Sequence, residues 1–210
     1  MARIWLWMEV EVFGNVSNAI SNCFKESSDL LNLVKSDIEL QRALEDSCKL
    51  CIEAYKKNSK ILIAGNGGSA ADAQHFAGEL VSRFNFDRPP LSALALSTDT
   101  SILTAIGNDY GFKEIFARQI LANGRSGDVF FAISTSGNSE NILQAIEVCR
   151  TLDIKVVGLT GISGGKMKDM CDLCMMIPST SVPRIQECHL IIEHIICAVI
   201  EDSLFGKQFN

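Results

Sequence analysis

Lys60-Ile61-Leu62-Ile63-Ala64-Gly65-Asn66-Gly67-Gly68-Ser69-Ala70-Ala71-Asp72-Ala73-Gln74-His75-Phe76-Ala77-Gly78-Glu79-Leu80 is the stretch that decides the fold. After Lys60 the run is apolar without interruption, which is the pattern of a short strand buried on both faces. A glycine turn follows at once, and a helical pattern is expected over 69–83. Outward from this unit the same signal repeats. Strands are expected at 60–64, 91–96, 129–133, 156–159 and 174–177, with helical segments near 112–122, 139–152 and 165–171 between them. Short apolar strands separated by helices indicate a parallel sheet covered on both faces. The fold class is therefore α/β, a three-layer sandwich with a five-stranded parallel sheet and an N-terminal helical arm. That arm is expected as two helices within 15–58. Ile20, Cys23, Phe24, Leu30, Leu31 and Val34 mark the apolar face of the first, and Ile38, Leu44, Leu50 and Ile52 that of the second. Ser36 with Glu39 is the expected capping box between them. A last helix is expected over 184–204.

At 210 residues the chain fits one domain with an extension. Its net charge of −6, without a run of like charges, argues against a nucleic-acid surface and leaves any anionic ligand to be held by local groups. The first eight residues are too short for a signal peptide, and 191–200 is broken by Glu193 and His194, so no membrane span is expected and the protein is expected in the cytoplasm. Residues 1–15 are read as an extension of unassigned role. Eight cysteines without a secretory signal suit a reducing compartment. Cys48/Cys51 and Cys171/Cys174 imitate a four-thiolate metal site, but their separation is far longer than such sites use, and Cys48 and Cys51 share an apolar helix face with Leu44 and Ile52. Buried thiols are the expectation.

In open α/β sheets ligands gather at the carboxyl ends of the strands. Those ends carry Gly65-Asn66-Gly67-Gly68-Ser69, Ser97-Thr98-Asp99-Thr100, Ser134-Thr135-Ser136-Gly137-Asn138-Ser139 and Thr160-Gly161. Four hydroxyls within 134–139 exceed what one helix cap needs, and they can hold a phosphate without arginine. No Walker lysine and no dinucleotide fingerprint is present, so a small phosphorylated metabolite is expected and not a nucleotide. His75 and Glu79 stand at i, i+4 on one helix face, a metal-ligand or acid–base pair. His189 is expected as a core residue.

Four segments, in this order, resemble the phosphoheptose isomerase (sedoheptulose 7-phosphate isomerase) family of SIS-domain proteins. They are Gly65 to Leu80, Ile106-Gly107-Asn108-Asp109-Tyr110-Gly111-Phe112, Ile133 to Ser139, and Arg184-Ile185-Gln186-Glu187 with His194 eight residues past the glutamine. The similarity runs from about residue 16 to the C-terminus. It implies a single flavodoxin-like SIS domain over 16–210 and a homotetramer with active sites between subunits. It also implies conversion of D-sedoheptulose 7-phosphate to D-glycero-D-manno-heptose 7-phosphate, a first step toward nucleotide-activated heptose for lipopolysaccharide or capsule. By the same resemblance Ser69, Ser134, Thr135, Ser136 and Ser139 hold the phosphate. Asn66, Gly67, Gly68, Arg83, Asn108 and Asp109 line the sugar end. His75, Glu79, Gln186 and His194 match zinc-binding positions, one ion per subunit, and Glu79 and His194 match the acid–base pair. Pro183 departs from the small or acidic residue common before the arginine.

Aldose–ketose isomerisation needs one group to carry a carbon proton and another to carry a hydroxyl proton. A non-catalytic sugar-phosphate sensor, or a replication-initiator-binding protein of the same fold, is the competing reading, and the full set at 75, 79, 186 and 194 favours the enzyme. Gln186 and His194 lie about 12 Å apart along one straight helix, so they are expected to serve different parts of the site, or to come from different subunits.

Overall fold

The computed structural model describes residues 16–206, and the extension at 1–15 lies outside the described residues. Helices α1 (Val16–Ser36) and α2 (Ile38–Lys56) precede β1 (Ile61–Gly65) and α3 (Gly68–Val81). The chain continues through β2 (Ala93–Ala95), α4 (Thr100–Asp109), α5 (Ala117–Asn123), β3 (Val129–Ile133) and α6 (Glu140–Thr151). It ends with β4 (Lys155–Gly161), β5 (Leu173–Ile177) and α7 (Val182–Phe205). The five strands form one parallel sheet in the order β2-β1-β3-β4-β5. Parallel pairing requires crossovers, and each helix between strands covers one face of the sheet.

Alternation along the strands divides the core. Ile61 and Ile63 of β1, with Val129, Phe131 and Ile133 of β3, join Phe76 and Leu80 of α3 and Ile192 and Ile196 of α7. Leu62 and Ala64, with Phe130 and Ala132, turn to the opposite face against Phe116, Ile120, Ile142 and Ile146. Cys48 and Cys51 belong to the first face and Cys171 packs on the second, so the sheet separates the two cysteine pairs and forbids a shared four-thiolate site.

Several expectations are corrected. Asp37, not Ser36, caps α2: its Oδ1 accepts from Leu40 N at 3.0 Å, while the Ser36 hydroxyl donates back into α1 to Asn32 O. The helix expected over 112–122 is a 3-10 turn at Phe112–Glu114 followed by α5, and the segment 165–171 holds only a 3-10 turn at Met167–Asp169. Helix α4 escaped the sequence reading because it fully buries no residue, and only Leu103 and Ile106 pack partly buried against the core, a stripe too short to reveal it. The first helix buries only Leu30 and Val34; Ile20 and Phe24 are 54% and 75% exposed. Its first turns overhang α7 and leave an apolar groove of about 850 Å³. Among the described residues no helix is long and apolar enough to cross a membrane.

The loop leaving α3 is fixed by a buried ion pair. Glu201, on α7, accepts from Phe84 N at 2.8 Å, from Asn85 N at 2.6 Å and from Arg88 Nε at 3.0 Å. Arg88 also donates to Leu80 O and Glu79 O, the terminal carbonyls of α3. Burial pushes the Glu201 carboxyl up, but the two backbone donors and the guanidinium outweigh it and hold the group below its usual 4.5. A depressed carboxylate stabilises the fold above its unfolded pKa, and that contribution is lost as pH falls through the folded value. Glu201→Ala is expected to cost about 3–5 kcal/mol in denaturant unfolding at pH 7, since it strands a buried guanidinium. Lys49→Ala, on an exposed pair, is expected to cost under about 1 kcal/mol. The gap between the two variants should narrow in the same titration below about pH 4. Equal losses at pH 7 would refute this account.

Candidate active site

The site lies on the seam of α3 and α7, which run side by side in the same direction. At its start a Cβ on residue 68 would collide with the Gln186 amide, so glycine there leaves room for the Gln186 side chain to lie against α3. Further along, His75 Nε2 lies 2.7 Å from His194 Nε2 and 3.5 Å from Glu79 Oε1. Seven residues of α3 separate the two meeting points, about 10 Å along the helix axis. Gln186 and His194 therefore serve opposite ends of one seam.

Gln186 belongs with the hydroxyl loop. With Asn66, Ser69, Ser134, Thr135, Ser136 and Ser139 it lines a cavity of about 200 Å³. Ser139 is the N-cap residue of α6 yet makes no capping bond; its Oγ is 3.0 Å from Ser134 Oγ, which is also 3.4 Å from Ser136 Oγ. Hydroxyls released from capping and converging on one another are donors available to an anion. Gly137 holds φ +64°, and a Cβ there would strike Gly164 O, so the next loop braces this one. Asn66 and Asn141 exchange paired amide hydrogen bonds at 2.9 and 2.8 Å, locking the glycine turn to the start of α6.

At the other end, one imidazole donates and the other accepts, since a 2.7 Å contact between ring nitrogens needs one proton between them. Phe84 packs against His194 at 5.4 Å between ring centroids, while His75 and Glu79 stay partly open to solvent. Among the described residues no group of three or more His, Cys, Asp or Glu side chains is set to hold a metal ion. Two nitrogens and a carboxylate are a zinc-type donor set, but the rings stand closer than the ~3.4 Å between two ligands of a tetrahedral zinc. The donor chemistry fits; the spacing is that of a hydrogen-bonded pair.

Other expected site residues lie apart from this seam. Arg83 is exposed just beyond α3. Asn108 and Asp109 are exposed at the end of α4, bonded to each other at 2.8 Å. His189 is fully buried as expected, its Nε2 donating to Thr160 O and burial lowering it to about 4. Sequence reasoning missed Asn141, Arg88, Glu201 and Glu193. Glu193 and Glu201 stand eight residues apart on the stripe of Ile185, Ile192, Ile196 and Ile200, and an acid at a core position is the signal that could have found them.

Among the described residues the buried side-chain polar atoms without a partner are Asp72 Oδ2, His189 Nδ1 and both Glu193 oxygens. Burial, with repulsion from Asp72, pushes Glu193 up to about 9, so it is neutral at physiological pH. Glu193→Gln is therefore expected to change stability by less than about 1 kcal/mol at pH 7, where Glu201→Gln costs several. Thermal unfolding of the two variants side by side checks the contrast; equal destabilisation would contradict a neutral Glu193.

A parallel sandwich with a hydroxyl cradle at its strand ends defines the class, and the family described as "SIS domain" matches residues 24–161. A phosphoheptose isomerase of Campylobacter jejuni is 54% identical over 93% of this chain and 98% of its own length, and one of Aneurinibacillus thermoaerophilus is 54% identical over 92% and 98%. The structure of a phosphoheptose isomerase from Neisseria gonorrhoeae superposes with a TM-score of 0.84 at 40% identity, covering 90% of this chain and all of that one. The chain belongs to the phosphoheptose isomerase family of SIS-domain proteins, and it is an isomerase.

Proposed function

We propose that the chain converts D-sedoheptulose 7-phosphate to D-glycero-D-manno-heptose 7-phosphate through a cis-enediol. The observation that carries this reading is the seam itself: an uncharged hydroxyl cradle at one end, and His75, Glu79 and His194 gathered at the other. An open-chain sugar phosphate laid along α3 puts its phosphate among Ser69, Ser134, Thr135, Ser136 and Ser139, with Gln186 beside it. Its carbonyl end then reaches the histidines. A sensor needs only the cradle, so the second end favours catalysis.

Isomerisation moves one proton between C1 and C2 and one between their oxygens. Glu79 and His194 are the pair: one takes the carbon proton and returns it to the neighbouring carbon, and the other shuttles the hydroxyl proton. His75, within hydrogen-bond reach of His194, fixes which ring nitrogen of His194 carries the proton. The cradle holds the far end of the sugar, so its contribution is orientation. Asn66, Gly67 and Gly68 stand at the cradle end of the seam, where they suit the sugar hydroxyls next to the phosphate. A zinc ion, one per subunit, would be held by His75, Glu79 and His194, and when bound would polarise the carbonyl oxygen.

Homotetramerisation with sites completed between subunits is part of the same reading. Supporting it are the uncovered apolar face of α1, the exposed Ile191, Ile195 and Val199 along α7, and α4, which buries nothing of its own yet carries Asn108 and Asp109. A neighbour's surface would bring such residues, and Arg83, to the sugar. The division into an extension at 1–15 and one SIS domain over 16–210, and residence in the cytoplasm, whose reducing pool suits a chain with eight unbridged cysteines, complete the proposal.

Turnover of sedoheptulose 7-phosphate in deuterated water is expected to put solvent deuterium on carbon in the product. Glu79→Gln and His194→Gln should each lower kcat by about 100- to 10,000-fold. Ser134→Ala should instead raise KM about fivefold, the loss of one hydrogen bond to phosphate. Chelation should lower activity and zinc restore it. Wild-type activity in either acid–base variant would sink the assignment.

A further inference from the structure

Six of the eight cysteines are accounted for by their surroundings. Cys48, Cys51, Cys149, Cys188 and Cys197 are buried, and burial holds their thiols up, to about 11 for Cys48 and Cys188 and about 12 for Cys149. Cys23 is exposed and alone on α1. Cys171 and Cys174 differ. Both are partly exposed, and both side chains meet over one glycine of β4: a Cβ on residue 158 would lie 2.8 Å from Cys171 Sγ and 3.2 Å from Cys174 Sγ. Only the missing side chain of Gly158 gives the two sulfurs room to face each other. The turn is fixed from behind by Cys171 N donating to Met167 O and Asp172 N donating to Val156 O.

We infer that Cys171 and Cys174 are a redox-active dithiol that closes to an intramolecular disulfide by exchange with a low-molecular-weight disulfide such as oxidised glutathione, with Cys174 as the attacking thiol. The Cys171 thiol donates toward Cys174, and Thr160 Oγ1 lies 3.9 Å from Cys174 Sγ. The Cys171 hydrogen bond is the larger influence and, with Thr160, lowers the Cys174 thiol against the opposing effect of burial. The same hydrogen bond, then burial, raises Cys171. A thiolate is the nucleophile in such exchange, so the asymmetry sets the order of events.

In the first step the Cys174 thiolate attacks one sulfur of the disulfide, forming a mixed disulfide and expelling one thiolate. In the second, Cys171 gives up its proton and attacks the Cys174 sulfur, releasing the second small thiol. The protein loses two protons and two electrons, and the reagent gains both as two thiols. The pair sits one 3-10 turn from the hydroxyl cradle, where Met167 N donates to Gly137 O at 3.1 Å and Lys166 N to Asn138 Oδ1 at 3.1 Å.

The test uses the full chain equilibrated across a series of reduced-to-oxidised glutathione ratios, quenched with acid, and mapped by alkylation and peptide mass. Cys171 and Cys174 are expected to be lost to alkylation together, with a mass loss of two hydrogens, at ratios where Cys48 and Cys51 remain free thiols. In Cys171→Ser the paired loss should vanish and Cys174 should carry one glutathione. In Cys174→Ser, Cys171 should stay reduced at that ratio. A wild-type pair that stays free while Cys23 becomes glutathionylated would overturn the dithiol. Equal adducts on the two variants would overturn the assignment of Cys174. Neither readout depends on isomerase activity.

Discussion

The geometry of the site depends on the Arg88–Glu201 pair. Glu201 sits two turns beyond His194 on α7, and its carboxylate is filled by the backbone of 84–85 and by Arg88. Arg88 in turn takes the carbonyls of Glu79 and Leu80. One buried pair thus fastens the last turn of α3, which carries Glu79, to the helix that carries His194. A buried charge is costly alone and is stable here because every oxygen and most guanidinium hydrogens have a partner. Strong mutual dependence of this kind fixes spacing where apolar packing would tolerate sliding.

With the seam fixed, its two ends divide the work chemically. The cradle end uses hydroxyls, amides and glycine and adds no formal charge, in a protein whose overall charge is negative. An anion bound there would be held by oriented dipoles and not by the general field. The far end gathers two imidazoles and a carboxylate within hydrogen-bond reach, side chains of the types that give and take protons in catalysis. Between them the seam buries Asp72, His189 and Glu193 with unpaired atoms, so polarity continues beneath the site from end to end. Glu193 tolerates that position by remaining protonated.

Much of this was legible in residue order. The β1 run and its glycine turn, the hydroxyl loop after β3 and the i, i+4 pair of His75 and Glu79 are local patterns, and local patterns survive without coordinates. Helix α4 was not legible because only Leu103 and Ile106, both partly buried, mark its inner face, too short a stripe to stand out. Ser36 with Glu39 has the spacing of a capping box, yet Asp37 is the cap, because only the turn of the backbone decides which oxygen faces Leu40 N. Arg88 and Glu201 lie more than a hundred residues apart, and no spacing rule connects them.

By itself the sequence determined the parallel α/β sandwich, the uncharged hydroxyl loop and the residue types able to move protons, because strand hydrophobicity, glycine turns and helical spacing are short-range properties. Tertiary structure alone decided that Gln186 joins the cradle while His194 joins His75, that the sheet parts the two cysteine pairs, and that Cys171 and Cys174 meet over Gly158. Those outcomes depend on which helix lies against which, and that is settled by side chains filling a shared core and by one buried ion pair, not by neighbours along the chain.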